Sequence, residues 1–358
     1  MNRQYIITAM TRKNSFDFIR LLAAVAVIFS HSFALTGHSE PGAGTISIGA
    51  ISVWIFFILS GYLISKSWDQ YPRFNVFFAK RILRIFPGLV VAVLSTIAVA
   101  GLFFTSLPLF TYLFHQETFT YLNNIFLYNS SFTLPGVFNT NIYPNAVNGS
   151  IWTLAYEFTM YLVVAIIGAL RIYKKIPPIA FWSTLFGLVL LMAIIGREYF
   201  SLSLFYLTIG QMIIFALMFF SGILMHKYEK HIKLNTLLGF GGLAAFVVLS
   251  VLLPEYTALF GATLLAYGIF AVGRHGHMSW TSKYGDFSYG LYIYAFPIQQ
   301  MIASVTHTAN PLKMFALSFI LTLIMSILSW HFVESRALKW KDKIDTKKYP
   351  LLQSDEAW

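Results

Sequence analysis

The sequence predicts an all-α protein, a polytopic membrane bundle of about ten transmembrane helices with both termini cytoplasmic. Composition is the first observation behind this. The chain of 358 residues is 57% hydrophobic and only 11% charged, where soluble domains average about 25% charged residues. The second is recurrence. Apolar runs near spanning length lie at 17–37, 46–66, 87–106, 150–170, 179–196, 205–225, 236–253, 257–273, 287–305 and 312–332. The third is the placement of charge. Alternate connections carry 23 of the 25 lysines and arginines, and the intervening ones hold only Arg197 and Lys313. The positive-inside rule produces this alternation, and a missed span would invert it downstream.

Several classes are excluded at once. The chain has no cysteine, so disulfides, thiol catalysis and thiolate metal sites are out. The net charge of +11 follows from the inner connections and does not point to nucleic acid. The first apolar run is of spanning length without a small-residue cleavage site, so no secretory signal peptide is expected. Residues 1–338 read as one membrane domain and 339–358 as a polar cytoplasmic tail. Most connections are short. The exception, Leu107 to Gly149, lacks Lys and Arg and is rich in Asn, Tyr and Phe. It is expected on the outer side, as an interfacial aromatic belt or as a platform for sugar rings.

The first span organises the rest. Its apolar run from Leu21 to Phe29 is bracketed by Arg20 and His31. Eleven residues are about three turns, so both lie on one helix face, about 16 Å apart along the axis. Ionisable residues in such helices are costly to insert; either Arg20 snorkels to a headgroup and His31 makes a packing hydrogen bond, or the two serve a site. In the second span, Ser60 and Gly61 suit close helix packing. Arg81 and Arg84, three residues apart, share a face of the helix entering the third span; arginine anchors to headgroups or grips phosphate in two-point geometry. The fourth span holds Glu157, an intramembrane carboxylate that needs a partner or a role, with Tyr161 on the same face and Trp152 near its start. Asp286 is expected to cap the ninth helix, which Pro297 should kink. His275 and His277 lack further ligands, and no metal site is expected.

The segments F-D-F-I-R followed ten residues later by His, then FFILSGYLIS, RILRIFP, SIWTLAYEFTMY, FSYGLYIYAFPI and FVESRAL, occur in this order. Together they resemble the acyltransferase-3 family of integral-membrane O-acyltransferases, which decorate bacterial surface polysaccharides. The resemblance runs from about Ser15 to Leu338. It implies location in the bacterial cytoplasmic (inner) membrane. It also implies an acyl donor such as acetyl-coenzyme A on the cytoplasmic side and a sugar hydroxyl as acceptor, with no permanently bound cofactor. The family's Arg-x10-His motif matches Arg20 and His31, and its paired-arginine motif matches Arg81 and Arg84. Many members carry a histidine before the late Phe-Pro; here that position is Ala295, so no role transfers to it.

On this basis His31 is expected as general base, with Glu157 orienting its imidazole. Arg20, Arg81 and Arg84 would hold coenzyme A phosphates, and Trp152 and Tyr161 would contact the acceptor. Ser30 and Ser32 flank His31 and leave a covalent acyl intermediate open as an alternative. A proton-coupled transporter or flippase of a lipid-linked saccharide would use the same ionisable residues differently. A non-enzymatic scaffold is the third class.

Overall fold

The computed structural model describes residues 14–170, 177–195, 201–204, 207–274, 278, 281 and 283–346. Arg3, Arg12, Lys13, Arg171, Lys174, Lys175, Arg197, His275, His277, Lys347 and Lys348 lie outside them, as does 347–358 of the expected tail.

A helix stands at each of the ten expected positions. The first is α1 (Phe16–Ala34), followed by a hairpin of β1 (Gly42–Ala43) and β2 (Ile46–Ser47). Then come α2 (Ile48–Gln70) and α3 (Phe74–Phe103). The long connection contains α4 (Leu109–Leu113), α5 (Gln116–Leu122) and a 3-10 turn at Asn123–Phe126. After it come α6 (Thr153–Ala169), α7 (Pro178–Ile195), a second two-residue hairpin of β3 (Ser203–Leu204) and β4 (Leu207–Thr208), α8 (Ile209–Lys227) and α9 (Thr236–Leu252). Next, α10 (Thr257–Phe260) and α11 (Ala266–Gly273) are joined by a π-helical turn, Gly261–Leu265. Last come α12 (Ser288–Thr306), α13 (Pro311–Ser329), a π-helical turn at Trp330–Glu334 and α14 (Ser335–Thr346).

Among the described residues, six helical stretches are long and apolar enough to cross a membrane: Phe16–Ala34, Ile48–Gln70, Phe74–Phe103, Ile209–Lys227, Pro254–Gly273 and Pro311–Trp340. Three of the other four, α6, α7 and α9, are apolar but shorter. The fourth, α12, buries Gln299, Gln300 and three tyrosines. The architecture is a helical membrane bundle.

Two departures from the sequence expectation matter for function. The helix carrying Arg81 and Arg84 starts at Phe74, thirteen positions before the expected span, and runs for 30 residues. That is about 45 Å of helix, longer than a hydrocarbon core of about 30 Å. The region expected as a tail begins in α14, which continues from α13 and packs along α3.

The centre of the bundle is α2 against α8. A Cβ at Gly61 would collide with the Phe219 carbonyl, and one at Gly222 with that of Ile58. The two backbones therefore touch because both residues lack side chains, as small residues allow in membrane helices. Gly61 thus plays the packing part expected of it, while Ser60 is used elsewhere. At one end of this pair, Asp69 accepts from Lys227 Nζ at 2.6 Å and pairs with His226 at 2.8 Å. The other main group is α1, α12 and α13, packed on one another and joined to the centre through α1 and α2.

Candidate active site

The second turn of α1 holds Arg20, which donates to Asp286 Oδ2 at 2.7 Å. Arg84, from α3, donates to the same oxygen. The other oxygen, Oδ1, accepts from the Ser288 amide at 3.2 Å and the Ser288 hydroxyl at 2.5 Å. Asp286 therefore caps α12, as expected, and also ties α1 and α3 to it. Burial pushes the Asp286 carboxyl up, but Arg20, Arg84 and Ser288 together hold it well below the usual carboxylate range. Glu334, 2% exposed in the π-helical turn, approaches Arg84 at 3.7 Å and accepts from Ser329 at 2.9 Å.

Arg81 completes this end. Its guanidinium lies over the Phe77 and Tyr161 rings at 5.7 and 6.0 Å, and its buried Nε has no hydrogen-bond partner. It also interacts electrostatically with Arg84, Arg20 and Glu157. The structure thus gathers Arg20, Arg81 and Arg84, as the sequence suggested, and it gathers carboxylates with them.

His31 lies in the last turn of α1, at the opposite end. Its ring packs edge-on against Phe296 of α12 at 5.4 Å, and its buried Nδ1 has no hydrogen-bond partner. Phe296 is also edge-on to Tyr143, at 6.3 Å. The flanking serines are buried and committed. Ser30 donates to Glu40 and accepts from the Gly49 amide at 3.0 Å. Ser32 donates to the Ile28 carbonyl at 2.8 Å and accepts from Gln299 at 2.8 Å. Neither is hydrogen-bonded to His31, so the arrangement gives no support to a serine nucleophile.

The long connection reaches this end through its last residues, which descend along α12. Asn141 donates to Gln300 Oε1 at 2.9 Å, and Gln300 donates to the Tyr143 and Ala146 carbonyls. Asn148 donates to the Ile293 carbonyl at 3.0 Å, and Thr153 shares a hydrogen bond of 2.6 Å with Tyr292. The Asn148 contact has a local cause. Pro297 has no N–H, so the Ile293 carbonyl four residues earlier loses its helical donor. Asn148 supplies one. Gly149 is required beside it, because a Cβ there would come 2.7 Å from the Phe296 ring.

This descent corrects the placement of Glu157. Because α6 starts inside the bundle, level with Tyr292, Glu157 lies a further turn toward the arginine end. Its Oε1 accepts from Ser60 at 2.6 Å and from Tyr161 at 2.5 Å. It is not hydrogen-bonded to His31. Tyr161 likewise belongs with Arg81 and Glu157 and not with the loop end. Trp152 packs against Tyr156 at 5.5 Å and Phe215 at 5.8 Å. The partners missed by sequence reasoning are Glu40, Asn148, Phe296 and Glu334. Only Glu334 and Phe296 stood inside a recognised segment, and the signal for Asn148 was Pro297.

Two clefts open at the loop end. One of about 400 Å³ is lined by His115, Glu117, Asn139 and Asn145 among others. One of about 540 Å³ lies between Phe33, His38 and Asn310 to Leu312. Neither is lined by His31 or the arginines.

The bundle thus carries a buried imidazole at one end of α1 and clustered arginines at the other. The acyltransferase domain family matches residues 13–331. The chain is 32% identical over 340 residues to the O-acetyl transferase of Shigella phage Sf6, covering 92% of this chain and 97% of that protein. It is 24% identical over 368 residues to nodulation protein 10 of Rhizobium leguminosarum bv. viciae, covering 94% and 96%. No solved structure matches the chain. The chain belongs to the acyltransferase-3 family and is an O-acyltransferase, which sets aside the transporter and scaffold classes.

Proposed function

We propose that the enzyme moves an acetyl group from acetyl-coenzyme A to a hydroxyl of a surface polysaccharide or lipid-linked sugar, in the cytoplasmic membrane of a bacterium. The observation that carries this is α1 itself. One helix has Arg20 among gathered arginines at its start and His31 in its last turn. Their separation of about 16 Å suits a long donor lying along the helix, phosphates at one end and thioester near the other.

Arg81, with its uncommitted Nε, contributes most to the phosphates. Arg20 and Arg84 share Asp286, but each guanidinium has five N–H donors, so each retains some for a phosphate oxygen. The arginine end is the cytoplasmic one, by the charge alternation. His31 acts as general base. It takes the proton of the acceptor hydroxyl as that oxygen bonds to the thioester carbonyl carbon. The carbon–sulfur bond then breaks, and the imidazolium returns the proton to the departing thiolate. The acceptor approaches from the loop end, past Tyr143 and Phe296.

The test is acetyl transfer from labelled acetyl-coenzyme A by purified protein in detergent. It is paired with mass analysis of surface glycans from cells with and without the gene. Label in a saccharide acceptor, and an acetyl mass lost from the glycans on deletion, is expected. Unchanged glycans together with no consumption of acetyl-coenzyme A would remove this proposal.

A further inference from the structure

The carboxylate nearest in function to His31 is not the one the fourth helix carries. Glu40 lies in the connection between α1 and α2, and its position is built. Gly37 adopts φ +79°, which ends α1 with the His38 amide turned back onto the Phe33 carbonyl at 2.9 Å. The β1–β2 hairpin follows, and the Ile48 amide closes onto the Pro41 carbonyl at 2.8 Å. Between these two closures Glu40 is led back to Ser30.

The hydrogen bonds there can run only one way. The Gly49 amide donates to Ser30 Oγ, so the Ser30 proton is free to go to Glu40. A Cβ at Gly49 would come 3.0 Å from Ser30 Oγ and 3.4 Å from Glu40 Oε2, so glycine permits the close approach. Glu40 also acts electrostatically on His31. Phe296 of α12 packs edge-on to the His31 ring, with Tyr143 of the long connection behind it, and Gln299 is turned to Ser32. His38 is turned to Thr36, at 3.2 Å.

The geometry points to Glu40 as the positioning carboxylate of His31, held by Ser30 and Gly49, whose negative charge stabilises the imidazolium formed when the acceptor hydroxyl gives up its proton. This rests on the acyltransfer role of His31 proposed above. Glu40 neither takes the proton nor forms a bond to the acyl group. It acts through its charge, from its place on Ser30, without a hydrogen bond to the ring.

The experiment compares wild type with Glu40→Gln and Glu40→Asp, following the rate of acetyl transfer against pH. In Glu40→Gln, kcat is expected to fall about 10- to 100-fold with KM for acetyl-coenzyme A within about twofold. The acidic limb of the kcat–pH profile should move down by about one unit, because loss of a nearby anion makes the imidazole less basic. Glu40→Asp should recover part of the rate and of the shift. A Glu40→Gln enzyme with the wild-type rate and profile overturns the inference. So does one that is slower with an unmoved limb, since that marks a merely structural role. Should Glu40→Gln fail to fold, Ser30→Ala takes its place, and the same shift, in smaller measure, is required of it. If wild type transfers nothing, the proposed function fails independently. The His31 titration, read by NMR of labelled histidine with His31→Asn for assignment, then decides for Glu40 alone. An unchanged His31 titration in Glu40→Gln counts against it.

Discussion

The two ends of α1 meet α12 by opposite means. At the Arg20 end, charge does the joining: Arg20 and Arg84 share Asp286, with Glu334 close behind. At the His31 end the joints are neutral: Gln299 ties α12 to α1, and Gln300, Asn141 and Asn148 tie it to the long connection, while the anion acting on His31, Glu40, comes from a short connection. The difference teaches that ion pairing organises the end where buried arginines stay charged in a poorly solvated place, the end proposed above to hold the donor. Amide hydrogen bonds organise the end that holds His31, whose ring would change charge in the proposed reaction.

The contrast can be broken most severely at His31. His31→Ala should lower transfer at least about 10²-fold while expression and thermal unfolding in detergent stay close to wild type. An active, well-folded variant would remove the base. Next is Asp286→Ala, which strands two guanidiniums and should destabilise by about 3 kcal/mol, seen as a lowered unfolding midpoint. A midpoint unchanged from wild type would show that the ion pairs do not hold this end together.

Arg81 and Arg84 separate binding from scaffolding. Arg81→Ala should raise KM for acetyl-coenzyme A with little change in unfolding, whereas Arg84→Ala should change both. Equal behaviour of the two variants would deny the distinction. Asn148 tests the neutral end. Asn148→Ala should cost about 1–2 kcal/mol by exposing a buried carbonyl. That cost should shrink in a Pro297→Ala background, where the helix regains its own donor; additive effects in the double variant would refute the pairing.

The smallest effect is one of pH. Asp286 titrates lower in the folded state, so its stabilisation is complete above the unfolded value of about 4. It is lost as pH falls from there toward the folded value. The stability gap between wild type and Asp286→Asn should therefore be constant at neutral pH and narrow below about pH 4. A gap that widens in acid would reverse the assignment.

Much of this was legible in the sequence. Apolar runs marked every principal helix, since hydrocarbon demands long uncharged stretches. The arginines and His31 stood out because ionisable groups are rare in such runs. The depth of α6 was not legible. Composition cannot show that Asn148 to Thr153 enters the bundle along α12, so Glu157 appeared to be nearer His31 than it is. Glu40 was hidden for a similar reason. It stands in a polar connection where a carboxylate is ordinary, and only the turn at Gly37 and the hairpin bring it back to Ser30.

The position of α12 late in the chain has a consequence for biogenesis. Arg20 meets Asp286 across 266 residues, Gln299 meets Ser32 across 267, and Asn148 meets Ile293 across 145. During synthesis, α1 through α11 emerge before any of these partners exists. The growing polypeptide therefore holds unmatched guanidinium and amide groups until its ninth hydrophobic stretch leaves the ribosome and inserts. Both ends of α1 therefore gain their α12 partners in one late event, and a translation product halted before residue 286 would lack all of them.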